Sequence, residues 1–113
     1  MKIIKNRLIP FPGFLAINLF GVLFVRKECS YQVSKYVINH EQIHTAQMKE
    51  LLYIGFYILY FLEWFIKLFR YGFKAYRNIS FEREAFNDEY NLGYLLNRKP
   101  YSWTKYILWH QTY

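Results

Sequence analysis

Hydrophobic residues are concentrated in two long stretches of the chain. In the first, residues 8–25, β-branched and aromatic side chains dominate, which is typical of strands. We predict two short strands there, at residues 14–19 and 22–26. Around Gly21 they either pair as a hairpin or form one bent strand.

The second apolar stretch, residues 51–69, predicts a long helix whose length would almost span a lipid bilayer. Glu63 and Lys67 lie inside it, at the i, i+4 spacing of an ion pair on one helix face. Because charges are costly within a bilayer, we favour a helix that is buried in, or packed on, a soluble domain. The alternative is a helix that lies on a membrane surface or enters the membrane.

Most of the remaining chain also has a helical pattern. Residues 32–52 contain no Gly or Pro, and Ser30 is placed to cap a helix there. Ser80 is placed to cap another helix, which runs to about residue 96, and residues 70–78 form the connection before it. The predicted fold class is therefore α+β and mostly helical, with a short N-terminal strand pair.

Length and composition limit the class of protein. The 113 residues allow one domain, 1–113. Hydrophobic residues make up 54% of the chain and aromatic residues 23%, which excludes an intrinsically disordered protein. Because Cys29 is the only cysteine, an intrachain disulfide and an all-cysteine zinc site are excluded as well.

The net charge of +7 is spread along the chain without a run of five or six basic residues. We interpret it as a solvated basic surface and expect no nucleic-acid partner. The basic N-terminus followed by apolar residues is similar to a signal peptide, but Pro10, Pro12 and Gly13 interrupt the apolar run and no small-x-small cleavage pattern follows. We therefore expect no cleavable signal peptide and a cytoplasmic or membrane-peripheral protein.

One motif carries the candidate chemistry: His40-Glu41-Gln42-Ile43-His44, an H-E-x-x-H sequence on the predicted helix. Residues four apart lie on one helix face, so His40 and His44 can bind one metal ion. Glu41 is then placed to take a proton from a water molecule on that ion. The chain has three histidines, and two of them belong to this motif.

A catalytic zinc site needs three protein ligands and one open position. Cys29 and His110 have ligand atoms but no supporting sequence context. The acidic stretch at residues 81–88 is the better source, because a carboxylate from a second helix facing the first would complete a His-His-Glu site. It offers two candidates, Glu82 and Glu84.

HEQIH followed by FEREAFND resembles the gluzincin group of zinc metallopeptidases, and the small size is most similar to the minigluzincins, the minimal versions of that fold. The resemblance covers residues 14–95. It implies a zincin-like domain with an active-site helix and a glutamate helix, one Zn²⁺ per chain, and hydrolysis of a peptide or protein substrate. It also implies that the N-terminal strand holds an extended peptide by edge pairing.

The choice of the third ligand stays open between two glutamates that point about 200° apart on a helix. Glu82 has the small Ala85 three positions later, which allows two helices to approach closely, and we favour it for that reason. Glu84 has Asp88 four positions later, which is similar to the thermolysin pattern. If Glu84 is the ligand, Asp88 would orient a ligand histidine.

Three functions are compatible with these features. The first is a zinc-dependent peptidase in which Glu41 activates zinc-bound water. The second is a zincin-like domain that binds metal or a partner without turnover. The third is a small membrane-associated protein, with contact to the membrane surface through residues 51–69.

Two further expectations concern aromatic residues and the last histidine. Tyr90, Tyr94 and His110 are candidates for stabilising a transition state. The aromatic tail, residues 101–113, is expected to pack on the long helix, with His110 and the residues after it reaching toward the mouth of the cleft.

Overall fold

The sheet is small and lies at the N-terminal end of the chain, of which a computed structural model describes residues 1–10 and 15–107. In these ranges three strands pair in the order β1 (Lys2–Asn6), β3 (Val22–Arg26), β2 (Ala16–Leu19). β2 and β3 form an antiparallel hairpin, whereas β1 runs parallel to β3. The sequence did not predict β1, and residue 14 lies outside the described ranges.

The hairpin, one of the two arrangements left open by the sequence, closes through a two-residue turn. Leu19 and Val22 are paired, and Phe20 and Gly21 between them both have positive φ, 53° and 89°. Positive φ at both central residues is the turn geometry whose twist matches that of antiparallel strands.

Helix α1 (Lys35–Glu50) carries the H-E-x-x-H motif and begins later than predicted. Ser34, and not Ser30, caps it, since Ser34 Oγ accepts a hydrogen bond from the Val37 N–H at 3.3 Å. Residues 27–32 form a 3-10 turn instead. The end of α1 is set by Leu52 and Tyr53, which both have positive φ and redirect the chain.

Helix α2 (Ile54–Tyr71) follows this break and confirms the predicted long apolar helix. Phe56 is its buried residue, and most of its other apolar side chains are exposed. Among the described residues, no single helix is long and apolar enough to cross a membrane. One bent pair meets the length and composition criteria when its two parts are taken together: Lys35–Glu50 and Ile54–Asp88, with an angle of 109° between them.

Helix α4 (Ser80–Asp88) is shorter than the predicted glutamate helix and is flanked by two short helices, α3 (Ala75–Asn78) and α5 (Tyr94–Asn97). Ser80 is its first residue and not its cap. The Ser80 N–H and hydroxyl both donate to the Glu63 carboxylate, at 2.6 Å each. Helix α2 thereby holds the first turn of α4, and the chain is α+β and mostly helical, as predicted.

The hydrophobic core lies where α1, α2, α4 and the tail meet. Its buried side chains are Met48, Phe56, Ile79, Phe81 and Trp103. Trp103 belongs to a 3-10 turn, Ser102–Tyr106, and its ring centroid lies 4.7 Å from that of Phe81 on α4.

The described part of the tail therefore packs directly on α4, whereas we expected it on α2. Between the tail and α2 lies an apolar groove of about 530 Å³, with Leu59 and Leu62 on one side and Trp103 and Ile107 on the other. The tail after Ile107, including His110, is outside the described residues.

Candidate metal centre

Three buried ligand atoms converge between α1 and α4. Nε2 of His40 lies 3.2 Å from Nε2 of His44, and Oε1 of Glu82 lies 3.2 Å from the first and 2.9 Å from the second. The three residues are 8%, 5% and 4% exposed. Of the two glutamates considered from the sequence, the structure brings Glu82 to the histidines.

The spacing of these atoms fits one small metal ion. Zinc bonds to His nitrogen and carboxylate oxygen are about 2.0–2.2 Å long, so tetrahedral ligands lie about 3.3–3.6 Å from one another. The observed distances of 2.9–3.2 Å are slightly shorter, so the three atoms would move apart by a few tenths of an ångström around an ion. Two imidazoles and one carboxylate are also a donor set that zinc accepts in catalytic sites.

Charge within the group attracts a cation, which is the His44 proton when no metal is bound and which a metal ion would displace. Burial disfavours the charged form of His44, but the Glu82 carboxylate outweighs it and raises the pKa of His44 to about 9. Burial likewise acts to raise the pKa of Glu82, but the two histidines reverse this and hold it well below its usual range. Glu82 therefore contributes a full negative charge, the form in which a carboxylate binds metal.

Gln47 fixes the orientation of the His44 ring. Its amide nitrogen donates to the Phe81 carbonyl and to Oε1 of Glu84, at 3.0 Å each. Both partners only accept, so the amide oxygen of Gln47 faces Nδ1 of His44, at 2.8 Å. Nδ1 is the donor in this bond, which leaves Nε2 of His44 to face the metal position.

Glu84 is thus a support and not a ligand in this arrangement. Its side chain is fully buried and accepts hydrogen bonds from Gln47, from the Tyr94 hydroxyl at 2.6 Å and from Arg98 at 2.5 Å. Arg98 also binds Glu50 of α1, at 3.0 and 3.1 Å. Burial raises the pKa of Glu84, but these donors outweigh it and lower the value.

The carboxylate beside His40 is that of Glu89, whereas the sequence pointed to Asp88 for the case in which Glu84 is the ligand. Oε1 of Glu89 lies 3.3 Å from Nδ1 of His40. The reason is helical geometry. Glu89 is seven residues, or about two turns, after Glu82 and therefore lies on the same helix face, whereas Asp88 is rotated from Glu89 by about 100° around the helix axis. The Asp88 carboxylate instead accepts a hydrogen bond from Asn87, at 3.2 Å.

The second oxygen of Glu82 is held by α2. The Tyr60 hydroxyl donates to Oε2 of Glu82 at 2.6 Å, which leaves Oε1 for the metal. Burial, followed by the nearby charge of Glu82, raises the pKa of Tyr60 and of Tyr76, so both are neutral donors. The sequence carried no signal for either tyrosine, because their positions depend on how α2, with Tyr60, and α3, with Tyr76, pack against α4.

Glu41 lines a cavity of about 550 Å³ beside the metal position, together with His44 and Glu82. The rest of its wall is mostly apolar or phenolic and includes Ile17 of β2 and Phe56 of α2. Burial raises the pKa of Glu41, although the two histidines act to lower it. The motif glutamate therefore lines the same cavity as His44 and Glu82.

Asn18 attaches the hairpin to this cavity. Its Nδ2 donates to the Glu41 carbonyl at 2.9 Å and to the Thr45 hydroxyl at 3.1 Å. The Tyr57 hydroxyl donates to the Asn18 carbonyl at 3.1 Å and accepts from the Phe20 N–H at 2.9 Å. These bonds place β2 along the motif helix, next to the metal position.

Among the residues that the structure describes, Tyr90, Tyr94 and Cys29 do not belong to the converging group. Tyr90 packs against Tyr36, with ring centroids 5.0 Å apart, and Tyr94 binds Glu84. Cys29 is partly buried in the 3-10 turn at residues 27–32. Tyr60 and Tyr76, which sequence reasoning missed, line the cavity in their place.

No protein-family model, no curated protein and no solved structure matches this chain. The chemistry of the site therefore rests on its own residues.

Proposed function

We propose that this protein is a zinc-dependent peptidase with a reduced zincin-like fold of the gluzincin type. The observation that carries the proposal is the convergence of His40, His44 and Glu82 within 4.8 Å of one another. Two of them come from an H-E-x-x-H helix and the third from a later helix, which is the ligand order of that group.

Zinc in such a site acts as a Lewis acid and lowers the pKa of a water molecule bound to it. Glu41 is the general base of the proposed reaction. Its carboxylate accepts the proton of the attacking water and delivers it to the nitrogen of the leaving amine. Tyr60 holds Oε2 of Glu82 at 2.6 Å, and the Tyr76 ring lines the same cavity, where its hydroxyl can donate to a peptide carbonyl.

The substrate in this proposal is an extended peptide. β2 pairs with β3 on one side, and within the described ranges its other edge has no strand partner. The edge of a strand binds a peptide through main-chain hydrogen bonds. The cavity wall at Ile17, Met48 and Phe56 suits an apolar side chain of that peptide.

A Glu41→Gln variant separates metal binding from chemistry, because it keeps the shape of the side chain but removes the base. We expect the variant to bind about one zinc per chain and to cleave a peptide library at least about a hundredfold more slowly. Glu28→Gln, a change at an exposed site in the turn before α1, is the matched control and should retain activity.

Equal cleavage by Glu41→Gln and the wild type would contradict the mechanism. Zinc binding without any zinc-dependent cleavage by the wild type would instead favour a metal-binding domain without turnover.

A further inference from the structure

The outer face of α2 presents a row of large apolar side chains that the described domain does not cover. Seven of them are between 48% and 80% exposed: Ile54, Ile58, Phe61, Leu62, Phe65, Ile66 and Phe69. Phe73 follows just after the helix and is fully exposed. Single exposed apolar residues are ordinary, but a contiguous row of this size marks an interaction surface.

The row is continuous because its members recur at the helical spacing. Successive positions are three, four or one residue apart, so they share one side of the helix. Helix α2 has 18 residues and is therefore about 27 Å long. Phe56, Tyr57 and Tyr60, on the opposite side, face the core and the metal cavity.

The charge at the C-terminal end of the row is of one sign. Between Trp64 and Phe81 the chain contains four basic residues and no acidic residue. Two of the basic residues, Arg70 and Lys74, are exposed and lie next to Phe69 and Phe73. The apolar row therefore ends in a cationic cluster.

We propose that α2 docks the protein onto the surface of an anionic lipid bilayer. The apolar row enters the boundary between headgroups and acyl chains, and Arg70 and Lys74 bind lipid phosphates. A second copy of the chain is a poorer occupant, because each copy carries a net charge of +7 and the surfaces would repel. The proposal does not depend on metal binding.

Co-sedimentation with vesicles of stated composition tests the apolar part. We expect the wild type to bind vesicles of 70% phosphatidylcholine and 30% phosphatidylglycerol. The triple variant Phe61→Ser, Phe65→Ser, Phe69→Ser should bind at least tenfold more weakly, and its far-UV circular dichroism should match the wild type. The matched control replaces three exposed leucines elsewhere, Leu8, Leu92 and Leu96, by serine and should bind like the wild type.

A second variant tests the charged part without altering apolar residues. Arg70→Gln combined with Lys74→Gln should reduce binding to the anionic vesicles by about tenfold or more, since each cation near such a surface contributes about fivefold. Lys27→Gln combined with Lys99→Gln, two exposed cations elsewhere, is its control. Sodium chloride should release the wild type progressively.

Four outcomes would overturn the proposal. They are absence of vesicle binding by the wild type, equal binding to neutral and anionic vesicles, equal losses in the variants and their controls, and retention on vesicles that salt does not weaken. Self-association of the wild type that the three serine substitutions abolish, without vesicle binding, would assign the same surface to a second copy.

Discussion

Gln47 fixes the orientation of the His44 imidazole, which our proposal assigns to zinc. Replacing it by leucine removes the acceptor at Nδ1 of His44 and frees the ring to rotate. We expect the zinc affinity of Gln47→Leu to fall about tenfold to a hundredfold, the usual effect of losing such a partner. Competition with a chromophoric chelator measures it. Gln42→Leu, on the same helix, is the control. An unchanged zinc affinity in Gln47→Leu would contradict this role.

The two glutamates of α4 have separable roles. Glu82→Gln should lower the zinc content well below one per chain, because the charged ligand is lost. Glu84→Gln should leave about one zinc per chain but lower the free energy of unfolding by about 3 kcal/mol, since Arg98 loses one partner of a buried ion pair. Elemental analysis and urea denaturation measure the two effects. Reversed zinc contents would assign the third ligand to Glu84.

For single residues, the sequence predicted those members of the site whose positions depend only on spacing along one helix. The motif placed His40 and His44 on one face, and the small Ala85, which is fully buried, pointed to the face of α4 that approaches α1. Gln47 was within reach of the same reasoning, because it is three residues after His44. Tyr60 was not, since its bond to Glu82 joins two helices whose crossing angle no local pattern specifies.

Glu63 joins two elements, because its carboxylate accepts from the Ser80 N–H and hydroxyl and pairs with Lys67. In Glu63→Ala these donors lose their acceptor at the start of the glutamate helix. We expect the free energy of unfolding to fall by about 1–3 kcal/mol, the cost of buried donors without a partner. Urea denaturation measures the change, and Lys27→Ala, at an exposed position, should have little effect. An equal loss in both variants would show that α4 does not need this contact.

The elements themselves were predictable where periodicity is strong and less so at their ends. Helix α2 followed from its apolar run, and helix α1 from a stretch without Gly or Pro. Their boundary did not, since the turn at Leu52 and Tyr53 contains no Gly or Pro and is held by a bond from the Tyr53 N–H to the Met48 carbonyl, at 2.7 Å. β1 was missed because it is short and its partner strand, β3, is distant along the chain. The sequence near β1 therefore carries little signal for the pairing.

For the whole molecule, metal binding should add to stability because the group joins α1 to α4. At a free zinc concentration 100 times the dissociation constant, the gain is about 2.7 kcal/mol. For a chain of this size that corresponds to a rise in Tm of about 10 °C. Differential scanning calorimetry with zinc and with a chelator measures it. His44→Ala is the control, and its Tm should be the same with zinc and with the chelator. A wild-type Tm that is also the same in both conditions would contradict a metal site.

Arg98 has a consequence for the time at which the site becomes complete. It joins Glu50 to Glu84, and through Glu84 it supports the contact of Gln47 with His44. A ribosome makes the chain from its N-terminus, so His40, His44 and Glu82 all leave it before Arg98 does. Until then Glu50 and Glu84 are two carboxylates without their shared cation. A nascent chain that ends between Glu84 and Arg98 therefore contains His40, His44 and Glu82 but lacks the guanidinium group that pairs with both Glu50 and Glu84.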